Sequence, residues 1–328
     1  MRSLRSLFCS TFGLALALPA AWLALQPADA AAADRRGFAA VATTLTIEKT
    51  AVGTLRSATG GSAVGTVVTQ SLGPDGPVKK HIASVAYEEL ELELDLSLDR
   101  SMYDWISASW AGKAPRKSGT LTTLDLNGGA KGAREFQNAL ISETIFPVLD
   151  ASSKEPAFIT VLLAPERVSN VASSGGKPVG GATKGKAWQT PNFRLEIDGL
   201  DTKSVSRIEG LHFKQTMAGS TGPGRESGKQ PTAIQLDNLH ITLSEAGADS
   251  WRTWYEDFLV KGNANDKQER SGRLLLLGAN LKDELARIEL SNLGIVALRP
   301  RTSGSAVGVS QLEAELYVEQ MALVVGSK

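Results

Sequence analysis

The densest run of side chains that could bind a cation is Glu89, Glu91, Glu93 and Asp95, set at every second position among leucines. Such alternation puts the four carboxylates on one face of a strand, with neighbours roughly 6.6 Å apart. Hard cations need several oxygens at about 2.3–2.6 Å, so this ladder needs ligands from other strands to close on an ion. Its spacing reads as a solvated acidic face. The three histidines, His81, His212 and His240, lie far apart in the sequence and read as solvated or hydrogen-bonded strand residues. The single cysteine, Cys9, has no second thiol to form a zinc site or a disulfide. No Gly-x-Ser-x-Gly, Walker loop or His-Glu-x-x-His is present. Gly199-Leu200 lacks the strand-to-helix setting of a phosphate loop. The sequence therefore assigns no catalytic, cofactor-binding or metal-ligating residue, and the expectation is a protein that is not an enzyme and uses no cofactor.

The aromatic residues invite a ligand-platform reading, but their spacing favours packing. Trp251, Trp254, Tyr255, Phe258 and Leu259 fall at i, i+3, i+4, i+7 and i+8, one stripe of a helix that must be buried against a sheet. Trp110 and Trp188 lie outside any such stripe and are the better candidates for exposed contacts.

The elements around these residues occur twice. Leu90, Leu92, Leu94, Leu96 and Leu98 alternate with polar residues, as Leu239, Ile241 and Leu243 do later, the period of half-buried strands. A helix follows each. The first has Asp99 or Ser101 as N-cap, Met102, Trp105 and Ile106 on one face, and Gly112 at its end. The second has Asp249 or Ser250 at its start and Gly262 at its close. Ser118-Gly119-Thr120-Leu121 then matches Ser271-Gly272-Arg273-Leu274. Gly/Asn turns follow at Asn127-Gly128-Gly129 and Gly278-Ala279-Asn280. Ala133-Arg134 with Phe136 and Asn138 parallels Ala286-Arg287 with Leu290 and Asn292, and Ala157–Leu163 parallels Leu312–Val318. Between the copies, residues 169–190 are rich in glycine and read as a linker. The expected organisation is a signal peptide over 1–30, a first repeat over 31–168, the linker, and a second repeat over 191–328.

The first thirty residues carry an export pattern. Arg2 and Arg5 precede an apolar run from Phe12 to Leu25, and Ala28-Asp29-Ala30 supplies the small residues of a cleavage site. The run falls short of the ~20 residues that span a bilayer, and Pro19 interrupts it. A mature chain starting near Ala31 would have no cysteine, would not stay inserted in a membrane, and would reside in the periplasm or outside the cell. Over the whole chain of 328 residues, 35 Lys and Arg balance 35 Asp and Glu. That balance argues against a general nucleic-acid binder, which needs surplus cations to displace counterions.

In the second half, Phe193-Arg194-Leu195-Glu196-Ile197-Asp198-Gly199-Leu200 leads to Ser206-Arg207-Ile208-Glu209-Gly210-Leu211, then to the Trp254-Tyr255 helix and the Ser271-Gly272 and Ala286-Arg287 strands. In this order these residues resemble the contractile-phage tail tube protein family, which is structurally related to the type VI secretion tube protein. The first half resembles it more weakly: Leu45, Thr46, Ile47 and Glu48 remain, while the Asp-Gly-Leu and Glu-Gly-Leu steps are lost. The resemblance implies a mainly β fold, with two tandem antiparallel β-sandwich or barrel domains of tail-tube type, each with one flanking α-helix. It implies a structural homo-oligomer, in which three chains supply six domains to a pseudo-hexameric ring, and such rings could stack into a tube. Loops at 71–77 and 219–229 would reach towards neighbours. If the acidic face lined the channel, its counterpart in the second repeat would be the nearly neutral Asn238, His240, Thr242 and Ser244. The alternative is a secreted monomeric β-sandwich that binds a glycan or an envelope partner.

Overall fold

Leu90, Leu92 and Leu94 are fully buried while Glu91 between them is exposed, and Leu239, Ile241 and Leu243 are buried in the same rhythm. Around these two strands a computed structural model describes residues 42–71, 76, 78–172, 188–220, 228–301 and 310–326. The segment expected to be an export signal, and parts of both expected loops and of the expected linker, lie outside the described residues. The first half runs β1 (Ala42–Ile47), β2 (Thr50–Leu55), β3 (Ser57–Gly60), β4 (Ala63–Ser71), β5 (Val78–Tyr87), β6 (Leu90–Leu94), α1 (Arg100–Trp110), β7 (Lys117–Leu124), β8 (Ala130–Ile145), β9 (Leu149–Asp150), β10 (Ile159–Ala164) and β11 (Arg167–Val171). The second runs β12 (Phe193–Ile197), β13 (Val205–Glu209), β14 (His212–Ser220), β15 (Gly228–Leu236), β16 (Leu239–Ser244), α2 (Asp249–Tyr255), β17 (Arg270–Leu277), β18 (Glu284–Arg301) and β19 (Gln311–Val325).

The fold is mainly β, its strands antiparallel, with one flanking helix per half. In the first half the sheet order is β2-β1-β7-β8-β10-β6-β3, and in the second β12-β17-β18-β19-β16-β13. Leaving out β2, the two orders match strand for strand, with β10 and β11 together standing where β19 runs unbroken. The match extends to a shared bulge. Gly119 faces Phe136 and Lys117 faces Ala139, while Gly272 faces Leu290 and Arg270 faces Leu293, so the register shifts at the same place in both pairs. Asn138 and Asn292 carry that bulge at φ 50° and 56°, a left-handed backbone that asparagine tolerates better than most residues.

Several sequence expectations need correction. Ala133-Arg134 and Ala286-Arg287 are not equivalent: Thr122 faces Ala133, whereas the matching Leu275 faces Arg287, so the two pairs are one residue out of step. The Glu-Gly-Leu glycine is not lost from the first half. Gly60 and Gly210 both have positive φ, 77° and 88°, and a Cβ would stand 1.9 Å from the Glu89 carbonyl oxygen and 2.2 Å from that of Asn238. No other residue fits either place without moving the backbone. Asp99 caps α1, accepting from the Ser101 N–H at 2.9 Å, but neither Asp249 nor Ser250 caps α2, whose N-cap is Ala248. Leu259 is exposed because α2 continues into a π-helical turn over Glu256–Val260. The wider turn rotates Leu259 off the stripe that Trp251, Trp254 and Phe258 bury.

Of the segment 169–190, Ser169–Val171 belong to β11, and Trp188 and Thr190 are buried. Trp188 is buried, its carbonyl accepting from the Ala157 N–H at 3.0 Å. It is therefore not an exposed contact. The described residues belong to one compact unit, Ala39–Lys328, and the buried side chains of both halves form one apolar cluster.

Candidate functional site

Of the residues singled out in the sequence, His212 and Trp110 lie where the halves meet, while His81 is on β5 and His240 on β16. The last residues of β8, Glu143–Ile145, lie between β10 and a strand of the other half: His212 faces Ile145, Phe213 faces Thr144 and Lys214 faces Glu143. The pairing continues past the strand, since Phe146 N–H donates to the Leu211 carbonyl at 3.0 Å. Gly210 makes this possible by turning the chain out of β13 and into β14. The exchange is reciprocal. β9 of the first half adds to β13 of the second, with Leu149 opposite Ile208 and Asp150 opposite Arg207.

Side chains reinforce both crossings. Arg207 bonds Asp150 at 2.8 Å and lies 3.4 Å from Glu209. The Asp150 carboxyl is held below its ordinary range, first by the Ser152 hydroxyl and then by the Ser152 N–H and Arg207. Lys214 reaches Glu143 at 2.7 Å. His212 stands between two carboxylates, its Nδ1 2.9 Å from Asp237 and its Nε2 3.2 Å from Glu143. Burial alone would push the Glu143 carboxyl up, but bonds from Lys214 and His212 outweigh it and hold it below the usual carboxylate range. The same bond to Glu143 raises Lys214 above its ordinary value.

The apolar side of this joint is built around Trp110, the residue singled out for an exposed contact. It is buried, with ring centroids 6.0 Å from Phe146 and 6.3 Å from Phe213. Trp110 does make a contact outside the core of its own half: Phe146 belongs to the first half, but Phe213 belongs to the second. α1 also reaches the second half through Ser107, whose hydroxyl donates to the Leu323 carbonyl at 2.6 Å and accepts its N–H at 3.1 Å.

The strands that flank the loops expected before the alternating strands pair as two long hairpins, β4–β5 and β14–β15. Their β-branched runs, such as Thr66-Val67-Val68-Thr69, were the available signal. Lys229, placed in a loop by sequence, is half-buried on β15 and donates to the Tyr87 carbonyl at 3.0 Å, tying the turn end of the β14–β15 hairpin to the base of the β4–β5 hairpin. Burial lowers its pKa, against the pull of Glu89. Arg116 also bonds the Lys229 carbonyl and Glu166.

The acidic ladder is only partly free. Glu91 is exposed, Glu93 accepts from the Ser57 hydroxyl at 2.9 Å, and Asp95 accepts from the Ser97 N–H at 2.6 Å. On the matching face of the second half, Asn238 donates to Glu315 at 2.9 Å and His240 lies 3.3 Å from Glu313. Arg299 bonds Glu315 at 2.9 Å, and Arg301 donates to the Thr242 hydroxyl at 2.6 Å. That face is not free of acids: Glu313 and Glu315 from β19 lie beside β16, and Arg299 from β18 pairs with Glu315. Among the described residues no three His, Cys, Asp or Glu side chains group to hold a metal ion, and no helix is long and apolar enough to cross a membrane.

No family model matches the chain, and no curated protein matches it. Among solved structures it is similar to an extracellular contractile injection system, the PVC sheath-tube complex in the extended state. That similarity has 14% identity and a TM-score of 0.34, over 40% of this chain and 88% of the other. It is also similar to the anti-feeding prophage cap, the AFP tube-terminating cap, at 13% identity and a TM-score of 0.33, over 45% of this chain and 94% of the other.

Proposed function

We propose that this is an exported structural protein, built by tandem duplication, whose two repeats are joined as neighbouring subunits of a ring would be. The observation that carries this reading is the joint itself: a strand from one half completes the sheet of the other, so the contact is made by sheet extension rather than by a linker alone. Sheet edges left open invite the same pairing from another chain. Three chains would supply six domain positions, the repeats alternating around the ring, and stacked rings would make a tube. The resemblance of Phe193–Leu200 and Ser206–Leu211 to the tail tube family supports the same reading.

Light scattering on the exported, processed protein tests it, with negative-stain microscopy to show the particle. A mass of three chains and a ring with six density lobes is the expected result. A clean monomer at high concentration would favour a secreted binding module instead, and six chains per ring would reject the alternation of repeats. Sequencing the N-terminus of the same sample should find a start near Ala31.

A further inference from the structure

The filled joint has an unfilled counterpart on the same chain. The shared bulge equates β8 with β18, so Glu143, Thr144 and Ile145 correspond to Ala297, Leu298 and Arg299. Their partners on the next strand agree, since Leu162 faces Glu143 and Glu315 faces Ala297. Likewise Gly60 and Gly210 equate β4 with β14. Ser62 accepts from the Glu88 N–H as His212 accepts from that of Asp237, so Ser62, Ala63 and Val64 correspond to His212, Phe213 and Lys214. Among the described residues, β18 beyond Leu293 pairs with β19 alone, and β4 pairs with β5 alone. The two edges that meet inside the chain at one joint are thus both open at the other.

Exposed apolar side chains gather at these open edges. Where α1 ends on buried Trp110, α2 ends on Leu259 and Val260, 43% and 57% exposed, on a turn packed against β18. Val296 on β18 is 37% exposed and Val64 on β4 is 49% exposed.

We propose that the Ala297–Arg299 edge of β18 receives Ser62–Val64 of a second copy of this chain, in the register of the filled joint. This rests on the self-assembling reading above. Leu298 then faces Ala63, Ala297 faces Val64, and Arg299 faces Ser62, with Leu259 and Val260 covering the new contact as Trp110 covers the old one. Ala63 is placed for this. Its neighbour Ser62 spends its carbonyl on Glu88, so Ala63 turns its own N–H and C=O to the open side.

The chemistry of the two joints also sorts the partners. The filled joint is polar, built on Glu143, Lys214 and His212; the open one is small and apolar, built on Ala297 and Val64. Pairing β4 with β8 would set Val64 against Glu143 and leave that half-buried carboxylate without its cation. Pairing β14 with β18 would set Lys214 against Ala297, away from Glu143, and His212 against the Arg299 guanidinium. Each edge therefore fits one partner, and first and second halves alternate along the assembly. Contacts of this kind are head to tail, one donor and one acceptor per chain, and they close into rings or run on as filaments.

Cross-linking tests this, because the processed chain has no cysteine of its own. Val64→Cys combined with Ala297→Cys places two thiols at directly opposed positions that do not share ladder hydrogen bonds, the closer kind of cross-strand pair. Mild oxidation should give covalent multimers on a non-reducing gel. Each single variant, and Val64→Cys with Glu143→Cys, should give none. Light scattering on the same variants before oxidation separates the two ways to fail. Multimers that do not cross-link at Val64 and Ala297 would overturn the edge assignment while leaving self-assembly standing. A monomeric wild-type protein would overturn both.

Discussion

The two helices hold the same place in their halves and differ at their C-terminal ends. Both bury a matching stripe, Met102, Trp105 and Ile106 in α1, Trp251, Trp254 and Phe258 in α2 and its π turn. α1 then finishes on Trp110, covered by Phe146 and Phe213, whereas α2 finishes on exposed Leu259 and Val260. The helices themselves do not account for the difference, since of the two rings on Trp110 Phe146 comes from its own half and Phe213 from the other. What separates them is whether another half lies over them. An apolar residue outside the core stripe of a repeat is thus a contact residue, and its partner can be elsewhere in the same chain.

The largest expected effect comes from the stripe both helices share. Trp105→Ala and Trp254→Ala should each cost about 3–5 kcal/mol, read as a lower denaturant midpoint. If Trp254 costs far less and its fluorescence is freely quenched, α2 is not seated as α1 is and the comparison fails. Trp110→Ala should cost about 3 kcal/mol and should also raise hydrogen exchange in β14, on the far side of the joint. A loss confined to α1 would show that the halves do not depend on this residue.

Gly210→Ala and Gly60→Ala come next, at about 1–3 kcal/mol each for forcing a side chain into left-handed backbone. Equal losses would support the equivalence of the two turns. Acid and base test the polar side of the joint. Glu143 is held below its ordinary range in the fold, so its contribution is present above the ordinary carboxylate pKa and fades as pH falls through the folded value. Lys214 is raised, so its share is present below about pH 10.4, the ordinary lysine value, and fades as pH rises through its folded value. Protection of β14 amides, taken relative to the intrinsic exchange rate at each pH, should therefore be greatest between these limits, and Glu143→Gln should flatten the acid limb. The smallest effect is expected from Leu259→Ser with Val260→Ser, within about 0.5 kcal/mol on dilute chains. A larger loss would place those side chains in a core.

What could be read from the sequence follows from what each signal encodes. Alternation at Leu90–Leu94 and Leu239–Leu243 reports a single buried face, and that is local, so the strands and the helices after them were legible. The shared bulge was visible only as repeated glycines and asparagines, because its register depends on how β7 pairs with β8 and β17 with β18. The joint was hidden for the same reason: Glu143, His212 and Lys214 are ordinary polar residues until the topology sets β8 beside β14. Trp110 came nearest to revealing it, since it stood outside its own stripe, but nothing local says whether its partner is solvent, another molecule or Phe213.

The reciprocal crossing of β9 and β14 has a consequence for synthesis. When the first half leaves the ribosome, Glu143–Ile145 lacks its second neighbour and Trp110 lacks Phe213. Chains grow at roughly 5–20 residues per second, so on the order of ten seconds pass before β14 emerges. For that interval a nascent chain shows a bare strand edge and an exposed tryptophan, features that holding chaperones recognise. Polysomes carrying several such chains at once would be prone to joining the wrong neighbours, so slow translation through the segment after Ile145 would lower the yield of properly closed molecules.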